Sequence, residues 1–514
     1  MGQMRFRVPN AKAFDPRIWS TAFISSYDGF PWPCVNRVEN DLLIIERAEN
    51  ESGKVSVVWP TREYGPILLT SGSLRCVEEP YLLPLELARG TIHRIRGRGI
   101  NWQTVGLKLP EAYSTLIDQA VSHFLQAILA KDDVEVCAAL SQDSIDCAIS
   151  ASRPLARAFV SQSLQARHAV EKQFSTLLGV RAGHDSQWHA SAETVLPAIN
   201  TLNVPMEMGP LQSDVLKDQM SRIDAQLEWA RTHSLRVFGG PLLNLQPHAF
   251  PKWFYLENDF ESLFQAACDH ARTMVERYRG QVHLWSAASG LNAPNAIGLS
   301  DEQVQKLAIG VIQTVRRCDP KTPVIICIDA PWAEYLAHQP DGISPLIFAE
   351  ALIRVDLGLS GIGLEMNLNL WPHGSLPRDL VDISDMIDHW GNSLEMPLLA
   401  VVSNPYNAIP DANAIAKSQI VSTWTYPEFN VEVCPDVADA EDDAQKSIPE
   451  LRFPANAMEI LQLLLAKTRI HGIVWNQISD QQEHPFPNSG LIGPQGRARG
   501  LLDGLVRLRQ LHVH

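Results

Sequence analysis

Val324-Ile-Ile-Cys-Ile-Asp329 and, one helix further along the chain, Gly361-Ile-Gly-Leu-Glu365 set the reading of this sequence. Each run is short, apolar at successive positions and closed by a carboxylate. A strand that is wet on one face alternates apolar with polar residues, whereas one covered on both faces stays apolar throughout. Such runs separated by amphipathic helical periodicity indicate βα units around a parallel sheet.

Working outward, the same pattern recurs from Phe174 to the C-terminus. The runs are Ser175 to Val180, Leu202 to Met206, Leu235 to Phe238, Val282 to Trp285, Val324 to Asp329, Gly361 to Glu365, Leu398 to Val402 and Gly472 to Trp475. Eight parallel strands with intervening helices close into a (β/α)8 TIM barrel, and the ligand site of such a barrel lies at the C-terminal ends of its strands. An α/β fold is therefore expected for residues 174–514, with function placed just after each run.

Two further units precede the barrel. Over residues 1–84, β-rich runs such as Leu42–Glu46, Lys54–Trp59 and Ile67–Thr70 alternate with the turn pairs Asp28-Gly29 and Ser71-Gly72. This predicts a small antiparallel β-sandwich, possessing the build of a carbohydrate-binding module. Trp19, Trp32 and Trp59 would either stack on sugar rings there or, more simply, fill a small core. Over residues 85–173 the period turns helical, with Tyr113, Leu116, Ile117, Ala120, Val121, Phe124, Leu125 and Ile128 behind Pro110. This segment reads as a helical connector packed on the barrel.

Bulk properties narrow the function. With 45% hydrophobic and 20% charged residues the chain has the composition of a folded globular protein, and its 514 residues accommodate a barrel plus an addition. A formal net charge of -15 disfavours nucleic acid as a partner, because binding phosphates requires a basic surface. Arg89, Arg94, Arg96 and Arg98 form a basic stretch that reads as a solvated helix face. No run is long and apolar enough for a membrane span, and no secretory apolar core follows Met1, so a cytoplasmic protein is expected. The eight cysteines show no C-x-x-C spacing, and His184 with Asp185 and His189 is a weak metal pattern. No cofactor and no metal is expected. The oligomeric state is not legible.

The segment His270-Ala-Arg-Thr-Met-Val-Glu-Arg-Tyr-Arg-Gly-Gln-Val-His-Leu-Trp285 carries an Arg-Tyr pair leading into a strand that ends in tryptophan. Gly361–Asn367, Met396–Asn404 and His471–Asp480 follow in order, and Val237-Phe-Gly-Gly-Pro-Leu-Leu with Pro251-Lys-Trp-Phe254 precedes. Together these segments resemble the third to eighth strands of glycoside hydrolase family 10, the xylanase-type barrels. The resemblance implies a glycan cleft at the barrel mouth and two glutamates. A retaining glycosidase needs one carboxylic acid to protonate the leaving oxygen and one carboxylate to attack the anomeric carbon, roughly 5 Å apart. On this resemblance the acid/base position falls at Gly290, with Ser289 before it, and the nucleophile position at Val402. The sixth-strand polar pair corresponds to Glu365 and Asn367, and a third-strand histidine falls near Leu245. Neither glycine nor valine can move a proton or form a glycosyl ester.

Three readings follow. The chain binds a saccharide-like small molecule or oligosaccharide with the usual mechanism lost; or it hydrolyses O-glycosyl bonds with relocated carboxylates, Glu365 paired with Glu207 or Asp329; or it is a non-catalytic scaffold. Candidate binding residues are Trp475, Trp285, Asn367, Trp253, Trp371 and Asp480, with Trp332, Tyr406 and Trp424 as further loop aromatics.

Overall fold

In the computed structural model, residues 2–184, 188–208, 213–246, 249, 259–293, 298–339, 342–416, 418–424 and 456–514 are described. Eight parallel strands close into a barrel: Leu177–Arg181, Thr201–Val204, Arg236–Gly239, Leu284–Ser286, Val324–Asp329, Gly361–Asn367, Leu398–Ser403 and Ile470–Trp475. They are called the first to eighth barrel strands below. Each coincides with an expected run to within a few residues. The main differences are at the C-terminal ends, where the first, third, fourth, sixth and seventh strands extend past the apolar run into polar residues or glycine.

The alternation within each strand sorts the side chains. Phe238, Ile325, Cys327, Leu399, Val401 and Val474 meet in the barrel interior. Residues of the other parity, among them Trp285, Ile326, Leu364, Val402 and Trp475, pack outward into the main core between strands and helices. The surrounding helices start on local signals. Ser300 and Gln303 form a capping box ahead of Asp301–Cys318, and Asp379 and Asn456 cap Leu380–Leu394 and Ala457–Ala466.

The N-terminal residues form two facing sheets. One has four strands in the order Cys34–Glu39, Leu42–Arg47, Gly2–Arg7, Tyr81–Leu82; the other has Phe23–Ser25, Lys54–Thr61, Gly65–Thr70. All pairings are antiparallel except that of Gly2–Arg7 with Tyr81–Leu82. Trp19 and Trp59 are buried against Phe14, so both serve the core and present no sugar platform. Trp32 is half-buried beneath the Arg47 guanidinium, 4.4 Å from its ring.

The connector consists of three helices, Leu83–Thr104, Glu111–Leu129 and Val134–Val170. Its apolar stripe is narrower than the periodicity suggests: Tyr113, Ile117 and Ala120 are buried, while Leu125 and Ile128 are exposed. The basic stretch also departs from expectation. Arg94 and Arg98 are not on a solvated face; they meet Asp379 and Asp385 at the start and within the barrel helix Leu380–Leu394. Sequence periodicity located the helix but had no view of the acidic barrel helix it crosses. Among the described residues, no helix is long and apolar enough to cross a membrane.

Candidate functional site

The strands end in a layer of polar side chains that is buried inside the barrel mouth. Arg181, Asn203, Asp329, Glu365, Asn367, Ser403 and Asn476 contribute to it, and none is more than 6% exposed. Their inward direction follows from strand parity. Asp329, Ser403 and Asn476 each lie two residues beyond an interior position, Cys327, Val401 and Val474 respectively.

Arg181 organises the layer. Its Nε donates to Asn203 Oδ1 at 2.7 Å and its Nη2 to Glu365 Oε1 at 3.2 Å. Burial works against the guanidinium charge, but the carboxylates of Glu365 and then Glu207 outweigh it and raise the Arg181 pKa. Asn203 in turn donates to the carbonyls of Phe238 and Gly240, tying the second strand to the third. Ser289 Oγ donates to Glu365 Oε1 at 3.4 Å.

Asp329 and Glu365 stand side by side on the fifth and sixth strands, in register. Neighbouring strands lie about 4.8 Å apart, so the two acids share one environment. Burial first, and then the charge of Glu365, push the Asp329 carboxyl up from 3.8 to about 8, against the lowering effect of Gln246 and Arg181. Gln246 Nε2 donates to Asp329 Oδ1 at 2.5 Å, and Asn292 clamps the strand end by exchanging hydrogen bonds with the Asp329 backbone N–H and carbonyl.

Several acceptors in this layer have no protein donor: Asp329 Oδ2, Glu365 Oε2, Asn367 Oδ1 and Asn476 Oδ1, together with Glu207 Oε2 beside the second strand. Buried polar atoms are ordinarily satisfied, so a cluster left open asks for a partner that donates. Among the described residues, no three His, Cys, Asp or Glu groups come together as a metal cage.

The structure brings Glu365, Asp329 and Asn367 together, with Glu207 close enough to act on Arg181. It does not bring the others there. Trp285 faces outward, and its indole N–H donates to Asp319 in the turn before the fifth strand. Trp475 also faces outward and donates to the Ser489 carbonyl at 2.8 Å. Neither lines the mouth, because strand parity turns both away from the axis. Trp371 is half-buried, edge-on to His338 and packed on the N-terminal core. Asp480 is committed to the eighth loop, accepting from Gln477 Nε2 and Gly490 N–H and pairing with Arg499. Trp332 donates to Asp382, Tyr406 lies under Arg499, and Trp424 is core. Trp253, with the segment Pro251–Phe254, and Asp185 lie outside the described residues. His189 stacks on Trp188.

Gly290 and Val402 differ in their surroundings. Gly290 has φ +73°, and a Cβ there would lie 2.5 Å from the Gln246 backbone nitrogen; no side chain fits. Val402 faces the helix layer, and the inward residues of the seventh strand are Leu399, Val401 and Ser403, none of them a carboxylate. Arg181, Asn203, Gln246, Ser403 and Asn476 were not singled out from sequence. Arg181 falls one residue past the expected end of its strand at Val180.

No protein-family model matches the chain, and no curated protein matches it. Among solved structures, the chain is similar to native xylanase 10B from Thermotoga maritima, with 12% identity, 68% of this chain and 97% of that chain covered, and a TM-score of 0.43. It is similar to xylanase 10B from Thermotoga petrophila in complex with xylobiose at 12% identity, 68% and 96% coverage and 0.41. For Xylanase10C from Cellvibrio japonicus in complex with xylopentaose the values are 13%, 65%, 67% and 0.42.

Proposed function

We propose that the chain binds a saccharide-like small molecule at the C-terminal face of the barrel, above the layer formed by Arg181, Asp329 and Glu365, without the paired glutamates of retaining xylanases. The observation that carries this is the set of buried acceptor oxygens on Asp329, Glu365, Asn367 and Asn476 that no protein group satisfies. A polyhydroxylated ring presents several O–H donors at once and matches such a set. The near-complete burial of these residues favours a short ligand over a polymer chain.

A second reading has its own observation. Asp329 retains its proton near neutral pH while Glu365 beside it is paired to Arg181, which is the division of labour between an acid and a base. On this reading the protein hydrolyses an O-glycosyl bond with relocated carboxylates.

Titration calorimetry with xylobiose, on the wild type and on Glu365→Gln, tests the first reading, and release of reducing sugar from the same samples tests the second. Binding without turnover, weakened at least tenfold in Glu365→Gln, supports the first. Turnover abolished by Glu365→Gln supports the second. Heat and turnover both absent across a panel of neutral and charged sugars would leave only the scaffold reading.

A further inference from the structure

The chain closes on itself where the connector enters the barrel. His168 stands in the last turn of the long connector helix Val134–Val170, and His512 ends the helix Gly500–His512. Phe174 is fully buried beside them; its backbone N–H donates to the His512 carbonyl at 2.7 Å, and its carbonyl accepts from the His514 N–H at 3.2 Å. The two imidazoles meet directly. His168 Nε2 lies 2.7 Å from His512 Nδ1, and the His168 ring stacks on Phe174 at a centroid distance of 4.6 Å and on His512 at 5.0 Å.

Hydrogen-bond chemistry limits how many protons this contact holds. His168 Nδ1 faces the Lys172 carbonyl at 3.0 Å, and a carbonyl only accepts, so that nitrogen carries a proton. In the neutral pair His168 Nε2 is then the acceptor and His512 Nδ1 the donor. One added proton, on His512 Nε2, leaves the bridge in place and makes it charge-assisted. The position of both rings at helix C-termini favours that single charge. A second added proton falls on His168 Nε2, which sets N–H against N–H and one cation beside another. The charged groups around the pair do not offset this. Arg167 lies over Phe174, 4.0 Å from its ring, and donates to the Leu465 carbonyl, while Glu171 acts on Arg167; Arg509 of the last helix donates to the Leu196 and Pro197 carbonyls. Burial, and then the charges of His168 and Arg167, hold the His512 pKa below its usual value.

We propose that His168 and His512 form an acid-sensitive clasp that fastens the connector to the last barrel helix and lets go when both imidazoles are charged. It is independent of what the barrel mouth binds. The neutral and singly charged pairs are the closed forms, so the clasp is complete above the ordinary histidine value of about 6.5 and is lost as pH falls below it. Leu164, Phe174, Leu508 and Val513 belong to the main core, and their packing does not titrate. Acid therefore loosens this joint and leaves the barrel folded.

Hydrogen exchange read by mass spectrometry on the full chain, at about pH 7.5 and about pH 5 and corrected for intrinsic rates, tests this. In the wild type, protection of the Phe174 and His514 amides is expected to fall at least tenfold at the acid value, while peptides from barrel strands such as Val324–Asp329 keep theirs. His168→Phe retains a ring against Phe174 and cannot titrate, so its protection at the joint is expected to be the same at both values. Unchanged protection in the wild type, a loss shared equally by the barrel strands, or the same acid-dependent loss in His168→Phe overturns the proposal. Protection that drops on adding EDTA at the higher pH overturns it too, because a metal ion and not a proton would then join the rings. The wild-type arms decide the matter even if His168→Phe does not fold.

Discussion

Gly290 and Asp329 show most plainly what single residues do in this barrel. The positive φ of Gly290 and the Gln246 backbone close beside it mean that placing a glutamate there adds backbone strain of about 1–2 kcal/mol and a clash of similar size. Gly290→Glu is therefore expected to lower the urea midpoint and to yield no xylan hydrolysis; a folded, active variant would mean that the loop can be rebuilt. Asp329 makes stability depend on pH. The folded chain holds its proton up to about pH 8, whereas the unfolded chain releases it near 3.8. The stabilisation is complete below the unfolded value and is lost as pH rises through the folded one. Urea unfolding of Asp329→Asn, which stays neutral, should vary less than the wild type between about pH 5 and pH 8. Neither residue's role is visible in sequence alone. That Gly290 stands where an acid would be expected is legible from the Trp285–Gly290 motif, but that no acid fits there is a matter of the Gln246 loop. Arg181 is hidden more deeply, since a charge inside a fully covered strand contradicts the pattern by which strands are recognised. It is tolerated only because Asn203 and Glu365 meet it in space.

Elements were easier to read than residues where the cause is local. Short apolar runs, capping residues and helical periodicity act within a few positions, so all eight barrel strands and the connector helices fall close to their expected places. Which faces meet is not local. The helix Leu83–Thr104 presents Arg94 to Asp379, which is 1% exposed and also caps Leu380–Leu394 by accepting from the N–H groups of Val381 and Asp382. Removing one partner of a buried ion pair leaves the other charge stranded, at a cost of about 3–5 kcal/mol. Arg94→Ala is expected to destabilise by that order. Asp379→Ala adds about 1 kcal/mol for the lost cap. In a double-mutant cycle by chemical denaturation the double variant should be less destabilised than the sum of the singles. Strict additivity would mean that the pair contributes nothing. The register of the seventh strand belongs to this scale too: the motif resemblance placed Val402 at the reactive position, and only strand pairing shows that Val401 and Ser403 face inward.

For the molecule as a whole, the N-terminal sheets, the connector and the barrel are not independent beads. One hydrophobic cluster runs from Phe6 and Trp59 through Ile95 and Ile149 to Leu376, Val381 and Trp424 of the barrel, and the backbone N–H of Leu68 donates to the Pro377 carbonyl. A fragment of residues 174–514 would uncover the barrel side of this cluster. It is expected to aggregate or to bind a hydrophobic dye where the full chain does not; a soluble, monomeric fragment with full thermal stability would show that the added units are dispensable. The buried polar layer at the strand ends is the feature on which ligand binding depends, and crystals of the full chain soaked in xylobiose address it most directly. Density for a sugar within hydrogen-bonding distance of Asp329 and Glu365, with Asn367 or Asn476 as a further contact, is the predicted result. A sugar bound elsewhere, with the oxygens of Asp329 and Glu365 closed off by protein groups, would contradict it.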